Sequence, residues 1–257
     1  MAYFLYNDKK INYTDNGQGE PLIIIHGNSV SSRMHQKVGK ECQKYCRVIS
    51  IDLPGHGKSE RIAEWATDFW YEHSKSVHAL IQHLNLENVI LLGYSGGAQI
   101  SLNIVLEHPQ YIRGVIADSF EGEKSDSSYA EGIFADREKA KKNIIARIFW
   151  YSMHGKDWED VVDSDSKVIY EHHKKYGSFF HKDLSEIDVP VLLTASKKDE
   201  YIEDIDAVFQ PMQSKIKYCR TIIYDEGKHP ASLTVGKKYI KDLIEFISGL
   251  EMNQVLK

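Results

Sequence analysis

A chain of 257 residues with 42% hydrophobic and 27% charged side chains has the make-up of a soluble globular protein, with room for one α/β domain or two small ones. Its net charge of -5, and the lack of a basic stripe with interleaved aromatics, count against a nucleic-acid partner. The longest apolar runs fall far short of the roughly 20 residues that span a bilayer, and the opening MAYFLYNDKK lacks a basic stretch followed by an apolar one, so a cytoplasmic protein with no signal peptide and no membrane insertion is expected.

Along the chain, residues 3–6 and 11–15 alternate weakly around the turn-forming NDKK, which predicts an antiparallel edge hairpin. PLIIIHG (21–27) is the first of six short runs rich in Val, Ile and Leu. The others are CRVISIDLPG (46–55), NVILLGYS (88–95), IRGVIADS (112–119), VPVLLTAS (189–196) and CRTIIYDEG (219–227). Runs of this kind read as strands buried on both faces of a parallel sheet. Helical patterns at 69–84, 97–108, 205–214 and 231–250 separate them, which predicts right-handed βαβ crossovers and a doubly wound sheet with helices on both faces. Cys42, Cys46 and Cys219 cannot all pair, and Cys42 and Cys46 have no second Cys/His pair at zinc-ligand spacing; reduced thiols and no metal are expected.

Residues 119–187 break the rhythm. They hold no buried-strand run, and two segments rich in aromatics, 136–155 and 166–180, read as amphipathic helices; Lys139, Lys141 and Lys142 form a solvated helix face. A structureless loop of this length is unusual in a compact domain, so an inserted helical lid is expected at 119–187, with 1–118 and 188–257 forming the core.

The third strand run ends in Gly93-Tyr94-Ser95-Gly96-Gly97, a match to G-x-S-x-G. With Gly and Ser each near ~7% of residues, a chain this long meets that pattern by accident about one time in ten. Here, however, the motif follows a strand and opens a helix, where a sharp, strained turn exposes a serine and the flanking glycines let backbone pass closely. A serine hydroxyl becomes a useful nucleophile only when a base takes its proton and a carboxylate orients that base. His229, in the loop after the last strand run, is the candidate base. Asp199, just past the end of VPVLLTAS, is the preferred carboxylate on placement, and Asp118, at the end of the preceding run, is its competitor. Backbone N–H groups for an oxyanion are offered by Gly96 at the start of a helix and by Asn28 in the turn after the first run, where the Asn28 side chain offers a further donor. Of the remaining histidines, His73, His78 and His83 fall in one predicted helix, and His172, His173 and His181 in the inserted segment. His56, in IDLPGHGKSE (51–60), reads as structural, and no H-E-x-x-H metal motif occurs.

In this order, His26-Gly27-Asn28, Asp52-Leu53-Pro54-Gly55-His56-Gly57-Lys58-Ser59, Gly93-Tyr94-Ser95-Gly96-Gly97, Asp199 and His229 resemble the α/β-hydrolase superfamily over nearly the whole chain. The resemblance implies an eight-stranded, mostly parallel sheet, a Ser95-Asp199-His229 triad, oxyanion amides at Asn28 and Gly96, no cofactor, and a lid that shapes the pocket for a small-molecule substrate. HGNSVSS also looks like the corresponding loop of haloalkane dehalogenases, but those enzymes carry an aspartate where this chain has Ser95. Many members carry a bulky residue at the position of Gly96, so open space is expected beside the oxyanion hole. The expected activity is that of a serine hydrolase on a small ester, thioester or lactone. Amide hydrolysis, C–C bond hydrolysis and perhydrolysis on the same triad are alternatives, as is a hydrolase-like ligand receptor or signalling protein. Phe134, Ile148, Phe149, Trp150, Met153 and Trp158 suggest an apolar or aromatic acyl pocket, although aromatics at helical spacing also serve simply to dock a lid.

Overall fold

The computed structural model describes residues 2–255. Strands β1 (Ala2–Tyr6) and β2 (Lys9–Asn16) form the predicted edge hairpin. Its turn residues Asn7 and Asp8 both take positive φ, 49° and 59°, as a two-residue type I′ turn demands and as Asn and Asp tolerate. The six predicted buried runs become β3 (Pro21–Ile25), β4 (Arg47–Ile51), β5 (Val89–Tyr94), β6 (Ile112–Asp118), β7 (Val191–Ser196) and β8 (Cys219–Tyr224). One eight-stranded sheet results, ordered β1-β2-β4-β3-β5-β6-β7-β8, antiparallel across β1, β2 and β4 and parallel beyond.

Successive side chains of a strand point to opposite faces, so a strand covered by helices on both sides is apolar throughout. Accordingly Ile23, Leu91, Val115 and Leu193 pack on one side of the sheet with helices α2 (Phe69–His83), α3 (Gly96–Glu107) and α7 (Ile205–Lys215). Leu22, Ile90, Ile116 and Leu192 pack on the other with α1 (Gln36–Cys42) and α9 (Lys237–Val255). Cys42 and Cys46 belong to this second core, and burial pushes the Cys42 thiol up to about 12. Among the described residues no helix is long and apolar enough to cross a membrane.

Between β6 and β7 the chain forms α4 (Ser127–Lys141), α5 (Ile144–His154) and α6 (Trp158–Lys175). The single helix expected at 136–155 is thus two helices. Asn143 interrupts it, because its side-chain oxygen accepts the Ile145 N–H at 2.8 Å and caps a new helix. Asp126 starts α4 earlier by capping Tyr129 N–H at 2.8 Å, and α6 begins well before residue 166. The pattern read as one helix at 231–250 is likewise broken into α8 (Ala231–Thr234) and α9, at Gly236 with φ 74°.

Polar contacts bind these helices to the sheet loops. Arg61 forks onto Asp157 at 2.7 and 3.0 Å and donates to the carbonyl oxygens of Gly55, Gly57 and Ser59. His154, at the end of α5, accepts the Gly57 N–H at Nδ1 and donates from Nε2 to the Ser29 carbonyl, each at 3.0 Å. Burial lowers its pKa to about 4, so the neutral tautomer that this pair of bonds needs is the one present near neutral pH.

The tightest backbone crossing is where β5 turns into α3. A Cβ on Gly97 would collide with the Ile25 carbonyl oxygen and stand 2.7 Å from that of His26. Gly97→Ala is therefore expected to cost about 2–3 kcal/mol of stability, read as a lower urea midpoint with an unchanged m-value; an unchanged midpoint would show that the crossing has slack.

Candidate active site

At the end of β5 the chain must reverse into α3 within one residue, and that residue is Ser95, with φ 53° and ψ -124°. For a non-glycine residue this conformation costs on the order of 1–3 kcal/mol. It is held by the Ser95 N–H donating to the Asp118 carbonyl and the Ser95 carbonyl accepting from Ala98 N–H, each at 2.8 Å. A Cβ on Gly93 would run into the Gly97 carbonyl, so both motif glycines are needed for the crossing. Among the described residues the Ser95 hydroxyl has no hydrogen-bond partner. Ser95 and His229 line the same cavity, and in unliganded sites the serine–histidine contact commonly tightens only when substrate binds.

The loop after β3 runs directly against this corner. A Cβ on Gly27 would lie 2.9 Å from the Tyr94 carbonyl oxygen and 3.0 Å from the Ser95 Cβ. His26 fixes the loop: its Nδ1–H donates to the Gly27 carbonyl at 2.7 Å, and its Nε2 accepts the Leu53 N–H at 3.0 Å. Asn28 and Gly96 consequently line the cavity beside Ser95, and among the described residues the backbone N–H of neither is taken by another group. The second sits in the first turn of α3, whose N–H groups have no intrahelical acceptor and carry the positive end of the helix dipole.

Two expectations about this corner are corrected. The space beside Gly96 is filled, not open. A Cβ there would strike the Asn28 side-chain oxygen, stand 3.0 Å from the Asn28 carboxamide carbon and 2.8 Å from the Trp70 indole nitrogen. Nor is the Asn28 side chain wholly free as an oxyanion donor, since one of its two Nδ2 hydrogens is engaged. Its Nδ2 donates to Asp165 Oδ1 at 2.6 Å, and its Oδ1 accepts from Trp70 Nε1 at 3.3 Å. Asp165, fully buried on α6, also accepts from Ser29 Oγ at 2.5 Å; burial raises its pKa, against the pull of these two donors.

His229 follows β8, and its Nδ1 bonds Asp199 Oδ2 at 2.8 Å. Asp199 leaves the end of β7, and its second oxygen accepts the Tyr201 N–H at 3.0 Å. The Tyr201 ring packs edge-on against the imidazole with centroids 5.0 Å apart. Asp118, the competing carboxylate, is turned elsewhere. It is wholly buried and accepts from Thr194 Oγ1 at 2.7 Å and Ser232 N–H at 3.1 Å, and burial pushes it up to about 6. With Ser119, whose hydroxyl accepts Ala231 N–H at 2.9 Å, it anchors the chain just after His229.

These groups surround a cavity of about 320 Å³. Phe149 and Trp150 line it, while Phe134 and Ile148 face outward, 44% and 62% exposed. Met153 accepts from Ser31 Oγ, and Trp158 stacks on Trp150 at 5.4 Å, so the inserted aromatics divide between wall and packing. His56 is buried and donates to the Pro54 carbonyl at 3.1 Å, away from the cavity wall. Sequence reasoning missed His35, stacked at 3.6 Å on Tyr94, and the cavity residues Trp70, Glu121 and Arg137. No motif marks them, and only their distance in space from Ser95 distinguishes them.

A family model described as alpha/beta hydrolase fold matches residues 20–143. Haloalkane dehalogenase 2 of Mycobacterium tuberculosis is 29% identical over 110 residues, 42% of this chain and 37% of that enzyme. The chain thus spans under half the length of this relative. The pimeloyl-[acyl-carrier protein] methyl ester esterase of Vibrio cholerae is 21% identical over 90% of this chain and 95% of its own. An esterase structure from Exiguobacterium antarcticum superposes with a TM-score of 0.77 at 20% identity, covering 96% of this chain and 98% of that one. The strand order, the strained serine corner, the family match over residues 20–143 and the superposition agree, and the chain has the α/β-hydrolase fold.

Proposed function

We propose that the protein is a serine hydrolase that cleaves a small ester, thioester or lactone through an acyl-enzyme intermediate. One observation carries this reading. A serine at positive φ shares a cavity with a histidine–carboxylate pair and borders two backbone N–H groups that have no other acceptor. The esterases among the relatives support the ester over the alkyl halide, as does Ser95 in place of an aspartate.

In this reading His229 Nε2 takes the Ser95 proton as Oγ attacks the substrate carbonyl carbon. The resulting oxyanion is held by the Asn28 and Gly96 N–H groups, and Asp199 orients the ring and stabilises the imidazolium. Collapse of the tetrahedral intermediate breaks the bond to the alcohol or thiol, which leaves with the proton from His229. Water, deprotonated by the same ring, then releases the acid and restores Ser95. Helices α4, α5 and α6 act as the lid over this chemistry. Asp165 is a positioning residue: by holding the Asn28 and Ser29 side chains it sets the loop that aims the Asn28 amide.

Ser95→Ala is expected to lose at least about a thousandfold in turnover of p-nitrophenyl esters, and a fluorophosphonate should add its mass to the Ser95 peptide of the unmodified chain. Turnover by the variant equal to that of the unmodified chain would sink the proposal. Asp165→Ala is expected to cut kcat about tenfold with little change in KM, and to cost about 1–3 kcal/mol of stability by leaving two buried donors unsatisfied. Asp165→Asn, which keeps one acceptor, should fall between. A change in KM alone would assign Asp165 to substrate binding instead.

A further inference from the structure

We propose that Arg137 is an anion-binding residue of the cavity, and that the substrate of the Ser95 site carries a carboxylate which pairs with it. The proposal rests on the hydrolase reading for its reaction, but the binding site stands on its own geometry. Arg137 projects from α4 and lines the same cavity as Ser95, Asn28 and His229. Its Nε is buried with no hydrogen-bond partner, and among the described residues no carboxylate forms an ion pair with its guanidinium. Arg47, Arg61, Arg113 and Arg220 meet Asp15, Asp157, Glu20 and Glu245 respectively, at 2.7 to 3.2 Å; among the described residues Arg33 and Arg147 also lack a carboxylate partner, but neither lines the cavity.

A guanidinium stays charged at any physiological pH, and one whose Nε is buried without an acceptor is better satisfied when an anion arrives to meet it. The chain's own acids near the cavity are engaged elsewhere. Glu121 Oε2 accepts the Asp126 N–H at 2.7 Å, and Glu200 Oε2 accepts the His229 N–H at 3.0 Å. Asp165 attracts Arg137 through space, but its two oxygens are bonded to Asn28 and Ser29. The guanidinium is also braced. Its central carbon sits 5.6 Å from the Trp150 ring centroid, and Trp150 stacks in turn on Trp158 at an interplanar angle of 16°. A planar, braced fork with free N–H groups suits the two oxygens of a carboxylate. Glu121 and Glu200 on the same wall repel a doubly charged phosphate more strongly than a singly charged carboxylate. At about 320 Å³ the space suits a short acyl group ending in such a carboxylate.

The test compares kcat/KM for monoethyl esters of C4 to C7 dicarboxylic acids with that for ethyl alkanoates of matched length, in the unmodified chain, Arg137→Gln and Arg137→Lys. The expected result is a preference for the carboxylated ester at one or more lengths. Arg137→Gln should reduce that preference at least about tenfold, mainly through KM, and Arg137→Lys should restore part of it. Because the preference is a ratio, any effect of the substitution shared by both substrates cancels. Calorimetric titration with adipate should in parallel show binding to the unmodified chain and to Ser95→Ala, but not to Arg137→Gln. An unchanged ratio in Arg137→Gln, or preference for the neutral ester at every length, would overturn the anion site even if a fluorophosphonate labels Ser95. Adipate binding lost in Arg137→Gln, with no fluorophosphonate labelling, would instead support the anion site and remove the hydrolase reading on which its reaction rests.

Discussion

The conformation of Ser95 governs the layout of everything around it. A residue at φ 53° between a buried strand and a helix lets the chain reverse without a loop, and so brings the first turn of α3 up against the end of β3. Such a reversal is possible only if nothing projects from Gly93 and Gly97, because backbone atoms occupy the positions their side chains would take. The cost of the strained residue is offset by the burial around it, since every residue of β5 is buried. In the proposed mechanism the consequence is chemical: a hydroxyl and two N–H groups are fixed at one end of a rigid sheet before any ligand arrives, which is the condition for electrostatic stabilisation without reorganisation.

The inserted helices are part of that corner as well as a cover for it. Asp165 of α6 reaches the Asn28 and Ser29 side chains, His154 of α5 reaches the Ser29 carbonyl and Gly57 N–H, and Arg61 binds the loop between α5 and α6 to the segment after β4. A shift of α5 or α6 therefore moves the loop that carries the Asn28 amide. In the proposed mechanism, closure of the lid and alignment of the oxyanion donors are one event. Arg137 extends the same logic from the α4 side, placing a cation in the cavity wall.

Much of this was legible in the sequence for a definite reason. The six buried runs needed both faces covered, and the turn chemistry of NDKK and GYSGG is local, so strands, hairpin and serine corner could be read from neighbours in the chain. Where the reading slipped, a local cap competed with a longer pattern: Asn143 divided one amphipathic stretch into two helices, and Gly236 divided another. Counting aromatics in the insert did not say which face they would take. Ile144, Ile145, Ile148 and Tyr151 of α5 stand in solvent while Phe149 and Trp150, on the same helix, turn inward.

The sequence by itself determined the sheet, the order of its strands' connections, and the positions of Ser95, Asp199 and His229 at strand ends, because each follows from apolar periodicity and from the residues adjoining it. Tertiary structure decided the pairings. Asp199 rather than Asp118 meets His229, because the Asp118 carboxylate is taken by Thr194 and Ser232. Asn28 turns its side chain to Asp165, 137 positions away, and thereby fills the space that a small Gly96 suggested would be open. Arg137 was unremarked in a charged helix until the fold set it against the cavity without a partner. A hydrogen bond depends on which groups meet and which are already engaged, and that is a property of the packed chain that no single segment contains.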